Sequence, residues 1–403
     1  MDSVNQIQRK TCAVCRSSAL EQVIDLPRFP LTGIFLKPDD KRTFPLCDQA
    51  LMRCGNCGHG QLRNSLDPVF LYQDTYSHRS SLSSISTSGN EFFLTFLRDV
   101  TGTVRFRSIV EIGCNDGFLL KKLEERADRL LGFDPIWRDR EGNLGNKIEL
   151  SGKYIEEIVP ATDIPERPDL VISVHTLEHV NEPFRYLKPI FDHARDGAYF
   201  FLEVPSLDSL VRIARFDQVF HQHVNYFSLA SLQRMVYDLG GEYLTHRFNY
   251  GYWLGTLMIA FRKPTGARKD IPPFAATLPP PTKSEINAQY EVFSGQMRSL
   301  RGSMEFYARQ DVPLYGFGAA QMVPALAYHL DSDLGMLNGI VDDNPDKRGC
   351  TYPGLKVSIV GLDDVKSPAD SAMVITAADS ARPILKRLLT LGVRYVLVPF
   401  HTI

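Results

Sequence analysis

Two pairs of cysteines have the spacing of a metal site. Each pair follows the C-x-x-C pattern, and the four residues are Cys12, Cys15, Cys54 and Cys57. Each C-x-x-C turn presents two thiolates on one side, so two turns together supply the four ligands of a tetrahedral Zn²⁺ ion. Cys47 and His59 are possible substitute ligands, but the symmetry of the two pairs favours the four cysteines. A closed four-thiolate site has no open coordination position, so we predict a structural zinc ion.

A second cluster, which we call the histidine box, lies at residues 220–228 and reads FHQHVNYFS. Two imidazoles, an amide, a phenol and further rings within a few residues are costly to bury unless they serve a purpose. We therefore predict that His221, Gln222 and His223 take part in acid–base chemistry or substrate binding. A surface loop with no chemical role is the alternative interpretation.

A third pattern, HTLEH at residues 175–179, matches the H-x-x-E-H signature of inverted zinc peptidases. That signature lies within a helix, where two imidazoles four residues apart face one metal ion. Here it directly follows a predicted strand at residues 169–174, and Pro183 would break a helix that starts inside it. A histidine after the fourth strand of a doubly wound sheet lies over the ligand cleft. His175 and His179 are therefore candidates for ligand contact or proton transfer, with a structural histidine as the alternative.

The candidate side chains must be positioned by regular structure, and residues 108–123 predict a strand, a turn and a helix that could do so. Residues 108–112 form a short apolar run typical of a buried parallel strand, Gly113 and Gly117 bracket a tight turn, and a helical hydrophobic pattern follows. A strand, a glycine turn and a helix bring backbone N–H groups up to a ligand. Glu111 at the end of the strand would repel a pyrophosphate. It suits a cationic ligand such as the amino-acid end of S-adenosylmethionine.

A second strand is predicted at residues 130–134 and ends in Asp134, 17 residues beyond Gly117. A nucleoside ribose needs a carboxylate at this place to accept hydrogen bonds from its hydroxyl groups. Sites for NAD and for S-adenosylmethionine share this acid. Asp134 therefore predicts an adenosyl cofactor without choosing between the two.

The rest of the pattern predicts two α/β units joined by a proline-rich linker. Helices are predicted at residues 88–100, 229–239 and 285–310, and strands at residues 169–174, 197–205, 337–342, 372–376 and 394–399, with two more within 242–262. A second strand and glycine turn at residues 312–320 opens the C-terminal unit, whereas the charged residues 136–165 give no clear pattern. We predict a zinc-binding module at residues 1–70, a cofactor-binding core at 71–265, a linker at 265–283 and a smaller Rossmann-like domain at 284–403.

The segment at residues 71–84 is too polar and rich in serine for a core element. It is either a surface linker or a lid that carries Tyr76 and several hydroxyl groups over a polar substrate. Sequence alone does not separate these two interpretations.

The composition excludes several classes of protein. The 403 residues carry a net charge of −2, which gives no electrostatic reason to expect binding to nucleic acid or to an anionic membrane. No apolar run approaches the roughly 20 residues of a transmembrane helix, and the polar N-terminus lacks a signal-peptide pattern. We therefore expect a soluble cytoplasmic protein, and in a reducing compartment the paired cysteines suit metal rather than disulfides. We also expect a monomer that acts on a small molecule.

With these residues assembled, the chain resembles the sugar C-methyltransferases that act on TDP-linked keto-deoxysugars. The matching features are the two C-x-x-C pairs, the EIGCNDG turn at 111–117, His179, the histidine box, and a GFGA turn followed by DDNP. The resemblance implies an α/β fold with a class I methyltransferase core between an N-terminal Cys₄ zinc module and a smaller C-terminal Rossmann-like domain. It also implies S-adenosylmethionine as the cofactor and a nucleotide-linked sugar as the substrate.

The resemblance also implies roles for single residues. His223 matches the histidine that removes the proton alpha to the sugar ketone, so that the enolate attacks the methyl group of the cofactor. Tyr76, position 220 and His179 match groups that hold the sugar and its enolate, which is reasonable because a developing oxyanion needs donors. We expect the cofactor to contact Glu111, Gly113, Cys114, Asn115, Asp116, Gly117, Asp134 and His175.

The chain departs from the family pattern at three positions. Phe220 stands where the family has tyrosine, Gln222 where it has glutamate, and Gln321 where it tends to have lysine. Loss of the phenol removes a donor at the enolate oxygen, and an amide stabilises an imidazolium less than a carboxylate does. The amide of Gln222 can still hold a ring nitrogen of the base by hydrogen bonding. We therefore expect His223 to be a weaker base than in the family, with His221, His179 or Tyr226 sharing its work.

Three alternatives to carbon methylation stay open at this point. The first is methyl transfer to oxygen, which needs only a base near a hydroxyl group. The second is a relative that binds an adenosyl nucleotide without transferring a methyl group. The third is an NAD-dependent oxidoreductase, which Glu111 disfavours in the first glycine turn.

Overall fold

The computed structural model of the chain describes residues 6–67, 71, 80–82, 84–252, 255–266 and 274–400. The strands in this part are β1 (Gln6–Gln8), β2 (Leu20–Phe29), β3 (Cys47–Cys54), β4 (Gly60–Leu62), β5 (Asn64–Leu66), β6 (Phe106–Ile112), β7 (Ala127–Phe133), β8 (Gly142–Leu144), β9 (Ile148–Ser151), β10 (Leu170–Val174), β11 (Tyr199–Pro205), β12 (Asn225–Tyr226), β13 (Glu242–Asn249), β14 (Thr256–Arg262), β15 (Leu314–Phe317), β16 (Gly339–Val341), β17 (Ile359–Val360), β18 (Ala372–Ile375) and β19 (Tyr395–Leu397). The α-helices are α1 (Ser84–Thr101), α2 (Phe118–Leu123), α3 (Pro160–Asp163), α4 (Pro183–His193), α5 (Leu207–Arg212), α6 (Leu229–Leu239), α7 (Lys283–Arg309), α8 (Val323–His329) and α9 (Ala381–Thr390).

An eight-stranded sheet in the order β13-β14-β11-β10-β6-β7-β9-β8 forms the middle of the protein. The five strands from β11 to β9 are parallel, and those at both edges are antiparallel. The chain runs outward from β6 in both directions, so the strand order reverses between β6 and β10. This reversal is the switch point of the sheet. Ligands of such sheets bind in the crevice at the carboxyl ends of the two strands that flank the switch point. The predicted core strands are confirmed as β6, β7, β10 and β11.

Helices cover both faces of this sheet, which explains why its central strands are apolar throughout. In β6, Ile109 lies in one buried cluster with residues of α1 and α2, and its neighbour Val110 lies in another with residues of α4 and α6. Successive side chains of a strand point to opposite faces, so an apolar run is buried on both.

The predicted limits of α6 are confirmed. Ser228 precedes the helix, and its Oγ accepts a hydrogen bond of 3.1 Å from the backbone N–H of Ser231. The helix ends at Gly240, whose φ of +85° is readily adopted only by glycine. Both caps satisfy backbone groups that a helix end leaves without partners.

A four-stranded antiparallel sheet in the order β12-β4-β3-β2 joins the cysteine module to the histidine box. The strands β2, β3 and β4 come from the N-terminal module, whereas β12 is the part of the box that follows His223. In the pairing of β12 with β4, Tyr226 lies opposite Gly60. A Cβ atom at Gly60 would lie 3.0 Å from the Cβ of Tyr226, so a side chain would separate the two strands.

The C-terminal unit contains a five-stranded parallel sheet in the order β17-β16-β15-β18-β19. Its strand order reverses between β15 and β18, which creates a second switch point. The predicted glycine turn after β15 is present: the N–H of Ala319 donates to Asp342 at the end of β16 over 2.7 Å. A cavity of about 200 Å³ opens at this turn and is also lined by residues of the middle domain.

The three parts share one apolar core. A single cluster of buried side chains includes Ile24 of β2, Leu207 of α5, Phe293 of α7 and Ile340 of β16. The end of the predicted linker is also packed, because Arg53 of the cysteine module donates to the carbonyl oxygen of Pro281 over 2.6 Å. No helix in the described part of the chain combines the length and the apolar character needed to cross a bilayer.

A buried ion pair connects the middle and C-terminal domains. Arg215 has only 2% of its side chain exposed and donates to Asp217 at 2.7 Å and to Asp379 at 2.8 Å. Its guanidinium carbon lies 4.5 Å from the centre of the Phe400 ring. The two carboxylates and the ring therefore surround one positive charge contributed by the middle domain.

We predict that Arg215→Met lowers the free energy of unfolding by about 3 kcal/mol, because it leaves the buried Asp217 without a counter-charge. Urea denaturation of the full chain measures this change. The matched control is Arg309→Met, which removes a pair whose arginine is 77% exposed and should cost less than about 1 kcal/mol. Equal losses in the two variants would contradict the prediction.

Candidate active site and zinc centre

The four predicted metal ligands form one cluster. Their Sγ atoms all lie within 4.8 Å of one another, and the two pairs that join the two turns are each 3.6 Å apart: Cys12 with Cys57, and Cys15 with Cys54. Thiolates bound at about 2.3 Å around a tetrahedral zinc ion are about 3.8 Å apart, so the cluster fits zinc. Cys47 and His59 are not part of this cluster: Cys47 lies at the opposite end of β3 from Cys54, and His59 Nε2 lies 3.2 Å from Asn225 Oδ1.

The predicted cofactor turn lies at the carboxyl end of β6, next to the switch point. Gly113 and Gly117 have φ values of +77° and +75°, and Asn115 between them also has a positive φ of 45°. A Cβ atom at Gly113 would lie 1.9 Å from Oγ1 of Thr176, the residue that follows His175. Glycine is therefore required here, and the turn contacts the segment that carries the histidines.

Glu111 is suited to a cationic ligand. Only 2% of the residue is exposed, and its Oε2 atom has no hydrogen-bond partner in the described part of the chain. Burial, and then repulsion by Asp134 and Asp116, raises the pKa of Glu111. A buried carboxyl group with an unpaired oxygen gains from an ammonium or sulfonium group nearby, so this site fits the amino-acid end of S-adenosylmethionine.

Asp134 follows β7 and faces the same turn. Its Oδ2 accepts from the N–H of Asn115 at 2.8 Å, and its Oδ1 accepts from the N–H of Ile136 at 3.0 Å. A carboxylate has about four lone-pair sites, so both oxygens can also accept from ribose hydroxyl groups. The indole of Trp137 donates to the carbonyl oxygen of Asn115 at 2.6 Å. The sequence interpretation missed this ring beside the cofactor site, although an aromatic residue just after the acid was a usable signal.

The serine-rich segment contacts the cofactor turn where the structure describes it. The backbone N–H groups of Ser80 and Ser81 donate to the side chains of Asn115 and Asp116, each over 3.0 Å. These contacts favour the lid interpretation over a plain linker. Tyr76, the residue expected to reach the substrate, lies outside the described residues.

The residues of the HTLEH pattern do not form the helix of a zinc peptidase. His175 follows β10 with a φ of +51°, and Leu177–His179 is a single 3₁₀ turn. His175 is therefore held at the carboxyl end of β10 beside the cofactor turn. The pattern match was coincidental, whereas the expectation of a histidine over the cleft fits this placement.

His179, in the turn after β10, and His223 of the histidine box lie against each other. Their ring centres are 4.9 Å apart, and the Phe220 ring centre lies 4.1 Å from that of His223. Nδ1 of His179 lies 2.8 Å from the backbone carbonyl oxygen of Gln222, so Nδ1 carries a proton and donates it to this oxygen. Burial, followed by repulsion from His179, lowers the pKa of His223 to about 3. His223 is therefore neutral at pH 7.

Two other predicted residues of the box are placed elsewhere. The side chain of Gln222 accepts from Thr32 Oγ1 at 2.7 Å and donates to the Thr32 carbonyl oxygen at 2.8 Å. His221 is fully buried, with its ring nitrogens 3.3 Å from Gln49 Nε2 and 3.2 Å from the carbonyl oxygen of Phe29. The expectation that Gln222 holds the base ring and that His221 shares its work is therefore corrected. Both side chains fasten the box to the N-terminal module.

A carboxylate that the sequence interpretation did not assign completes the cluster. Donor atoms of Glu178, His179 and His223 all lie within 4.8 Å of one another. The distance from Glu178 Oε1 to His179 Nε2 is 4.0 Å, wider than the roughly 3.3 Å between two ligands of tetrahedral zinc. We therefore interpret this cluster as a group of side chains that accept and hold protons rather than a metal ion. The signal in the sequence was an acid between two histidines directly after a buried strand.

Three protein-family models match consecutive parts of the chain. “Putative zinc binding domain” matches residues 12–72, “Methyltransferase domain” matches residues 89–246, and “C-methyltransferase C-terminal domain” matches residues 283–398. Together they follow the order of the three parts described above.

Individual relatives are similar to this chain over different lengths. The C-methyltransferase NovU of Streptomyces niveus is 23% identical over 410 residues, which cover 96% of this chain and 94% of NovU. A ubiquinone biosynthesis O-methyltransferase of Aeromonas salmonicida is 27% identical over 117 residues, 28% of this chain and 49% of that enzyme. The solved structure of the N-methyltransferase NodS of Bradyrhizobium japonicum WM9 overlaps 45% of this chain and 97% of NodS, at 15% identity and a TM-score of 0.34. Of these three, NovU matches over almost the whole chain.

We predict one zinc ion per chain in protein purified without chelators, measured by elemental analysis. Cys54→Ser should lose most of the zinc and unfold more easily, because three thiolates hold the ion poorly and the module depends on it. The control is Cys350→Ser, which removes another buried thiol outside the cluster and should keep the zinc. Wild-type protein without zinc would rule out the metal site.

We predict that Asp134→Ala weakens binding of S-adenosylhomocysteine by about 1–3 kcal/mol, because hydroxyl groups of the ribose lose their acceptor. Isothermal calorimetry measures the affinity, and circular dichroism checks that the variant is folded. Asp128→Ala, which changes an acid at the other end of β7 with 60% of its side chain exposed, is the control. An affinity that does not change in folded Asp134→Ala would exclude this position for the ribose.

Proposed function

We propose that this chain, an S-adenosylmethionine-dependent methyltransferase with a zinc-binding module, methylates a nucleotide-linked keto-deoxysugar at a carbon next to the ketone. The observation that carries the proposal is the pair of histidines beside the cofactor turn, 4.9 Å apart between ring centres. A carbon-bound proton leaves only when a positioned base accepts it, and an imidazole that is neutral at pH 7 can do so.

His223 is the proposed base. Its ring is neutral because burial lowers its pKa to about 3, so no proton has to leave before it acts. It accepts the alpha proton as the carbon–hydrogen bond breaks, and the electron pair passes to the ketone oxygen. S-adenosylmethionine, when bound, supplies an electrophilic methyl group. His179, with Nδ1 fixed by the carbonyl oxygen of Gln222, lies beside the base and is the proposed contact for the sugar.

The cavity at the second switch point is the proposed site for the nucleoside end of the substrate. Its polar lining includes Asp217, Gln218, Thr376, Asp379 and Ser380, which suit hydroxyl groups better than a diphosphate because two of them are acids. Burial lowers the pKa of His175, but Glu178, then Glu203 and then Asp379 of this cavity raise it, and their effect prevails. We propose that an extended substrate reaches from the histidines to this cavity.

Methyl transfer to oxygen is the second candidate, and the match to a ubiquinone biosynthesis O-methyltransferase favours it. That match covers only 28% of this chain, whereas the match to a C-methyltransferase covers 96%. The absence of a phenol at Phe220 also removes one donor that could have stabilised an enolate. The two candidates differ in whether a carbon-bound proton exchanges with solvent.

We predict that the enzyme exchanges the alpha proton of a TDP-linked 4-keto-6-deoxyhexose with D₂O when the cofactor is omitted. His223→Ala should slow this exchange by about 100-fold or more, since general-base catalysis is lost. Proton NMR of the sugar follows the exchange, and His246→Ala, a histidine of β13 that bonds Tyr243, is the control. Methyl transfer to this sugar without any exchange would show that oxygen is the acceptor.

A further inference from the structure

We infer that Glu178 is the positioning residue that supplies the negative charge behind the histidine pair, an inference that rests on the proposed function of that pair. In the proposed step the base gains a proton and becomes positively charged in a largely buried place. Such a charge is costly unless an opposite charge faces it. Glu178 is the residue whose position meets this need.

Glu178 is fixed from two sides. It lies in the 3₁₀ turn after β10 with 0% of its surface exposed, and its backbone carbonyl oxygen accepts from the N–H of Val224 at 2.8 Å. The side chain of Asn225 donates to the carbonyl oxygens of Leu177 and Val180, which flank it in the same turn. The turn that carries the acid and the box that carries the base are thus locked together.

The carboxylate faces three imidazoles. Its Oε1 atom lies 3.4 Å from Nδ1 of His175 and 4.0 Å from Nε2 of His179, and the His223 ring completes the group. Burial raises the pKa of Glu178, but the contact with His175 and the nearby imidazoles of His179 and His223 outweigh this effect and lower it. The carboxylate is therefore ionised and in turn favours protonation of the rings.

The other acids near the cluster do not replace it. Glu203 of β11 also faces His175, but burial raises its pKa, and its Oε1 accepts from Thr256 of β14. Asp379 of the C-terminal domain acts on His175 more weakly and is already bonded to Arg215. The environment thus separates two buried carboxyl groups: it holds Glu178 in the charged form and makes Glu203 harder to ionise.

The direct test is a pH titration of the ring nitrogens in the zinc-loaded full chain without substrate. Nitrogen-15 NMR follows the imidazoles, and His→Gln variants at positions 175, 179 and 223 assign them. Because the three rings are coupled, the measured quantity is the highest titration midpoint of the group. In Glu178→Gln this midpoint should fall by one pH unit or more, a loss of about tenfold in proton affinity.

Two further variants make the test specific. Glu182→Gln changes a nearby acid whose side chain is 54% exposed and should leave the midpoint at its wild-type value. Glu178→Asp keeps the charge at a greater distance and should give an intermediate midpoint, which also covers the case in which Glu178→Gln does not fold. A wild-type midpoint in a folded Glu178 variant would overturn the inference.

A kinetic readout separates this inference from the proposed function. If the TDP-linked 4-keto-6-deoxyhexose is methylated, Glu178→Gln should turn over about 100-fold more slowly. The acid limb of its pH–rate profile should also move to lower pH, because a base with a lower pKa stays unprotonated to lower pH. A slower rate with an unmoved limb would mean a merely structural role and would overturn the inference. If wild type and variants fail on this sugar while the midpoint shifts, only the proposed acceptor is wrong.

Discussion

One side-chain amide, that of Asn225, holds the functional parts of the protein together. Its Nδ2 donates to two carbonyl oxygens of the turn after β10, and its Oδ1 accepts from Arg9 of the N-terminal module at 2.8 Å. His179 belongs to that turn, and His223 precedes the amide by two residues. A fully buried amide tolerates no unpaired group, so these bonds fix the distance between the two histidines. The cofactor turn completes the site from the other side, through the contact of Gly113 with Thr176.

The zinc centre and the histidine pair are therefore parts of one structure. Cys57 precedes β4 by three residues, and β4 pairs with β12, the strand formed by the end of the histidine box. A module of about 60 residues buries too little apolar surface to be very stable by itself, and metal binding is a common remedy. The ion has no open position for a substrate, yet the stability that it contributes also reaches the loop that carries the base.

The features that could be predicted from the sequence are those that depend on a few neighbouring residues. The glycine turn, the cap at Ser228 and the paired cysteines are of this kind, and the structure bears each of them out. The strands β8 and β9 were missed because they lie in a charged stretch and gain their order from pairing with β7. The role of Gln222 was predicted wrongly because its partner Thr32 is 190 residues away in the sequence. Glu178 was overlooked because only the folded chain brings it close to His223. The domain boundaries stay a prediction.

The shared apolar core also constrains how the chain can be made. Ile24 of β2 and Phe293 of α7 lie in the same buried cluster, although the first leaves the ribosome long before the second. Most multidomain chains complete their N-terminal domain during synthesis. Here the inner face of the cysteine module lacks one of its packing partners until α7 has been translated. While the middle third is being made, this apolar surface lacks the helix that covers it, and synthesis that pauses within the proline-rich segment before α7 would prolong that period.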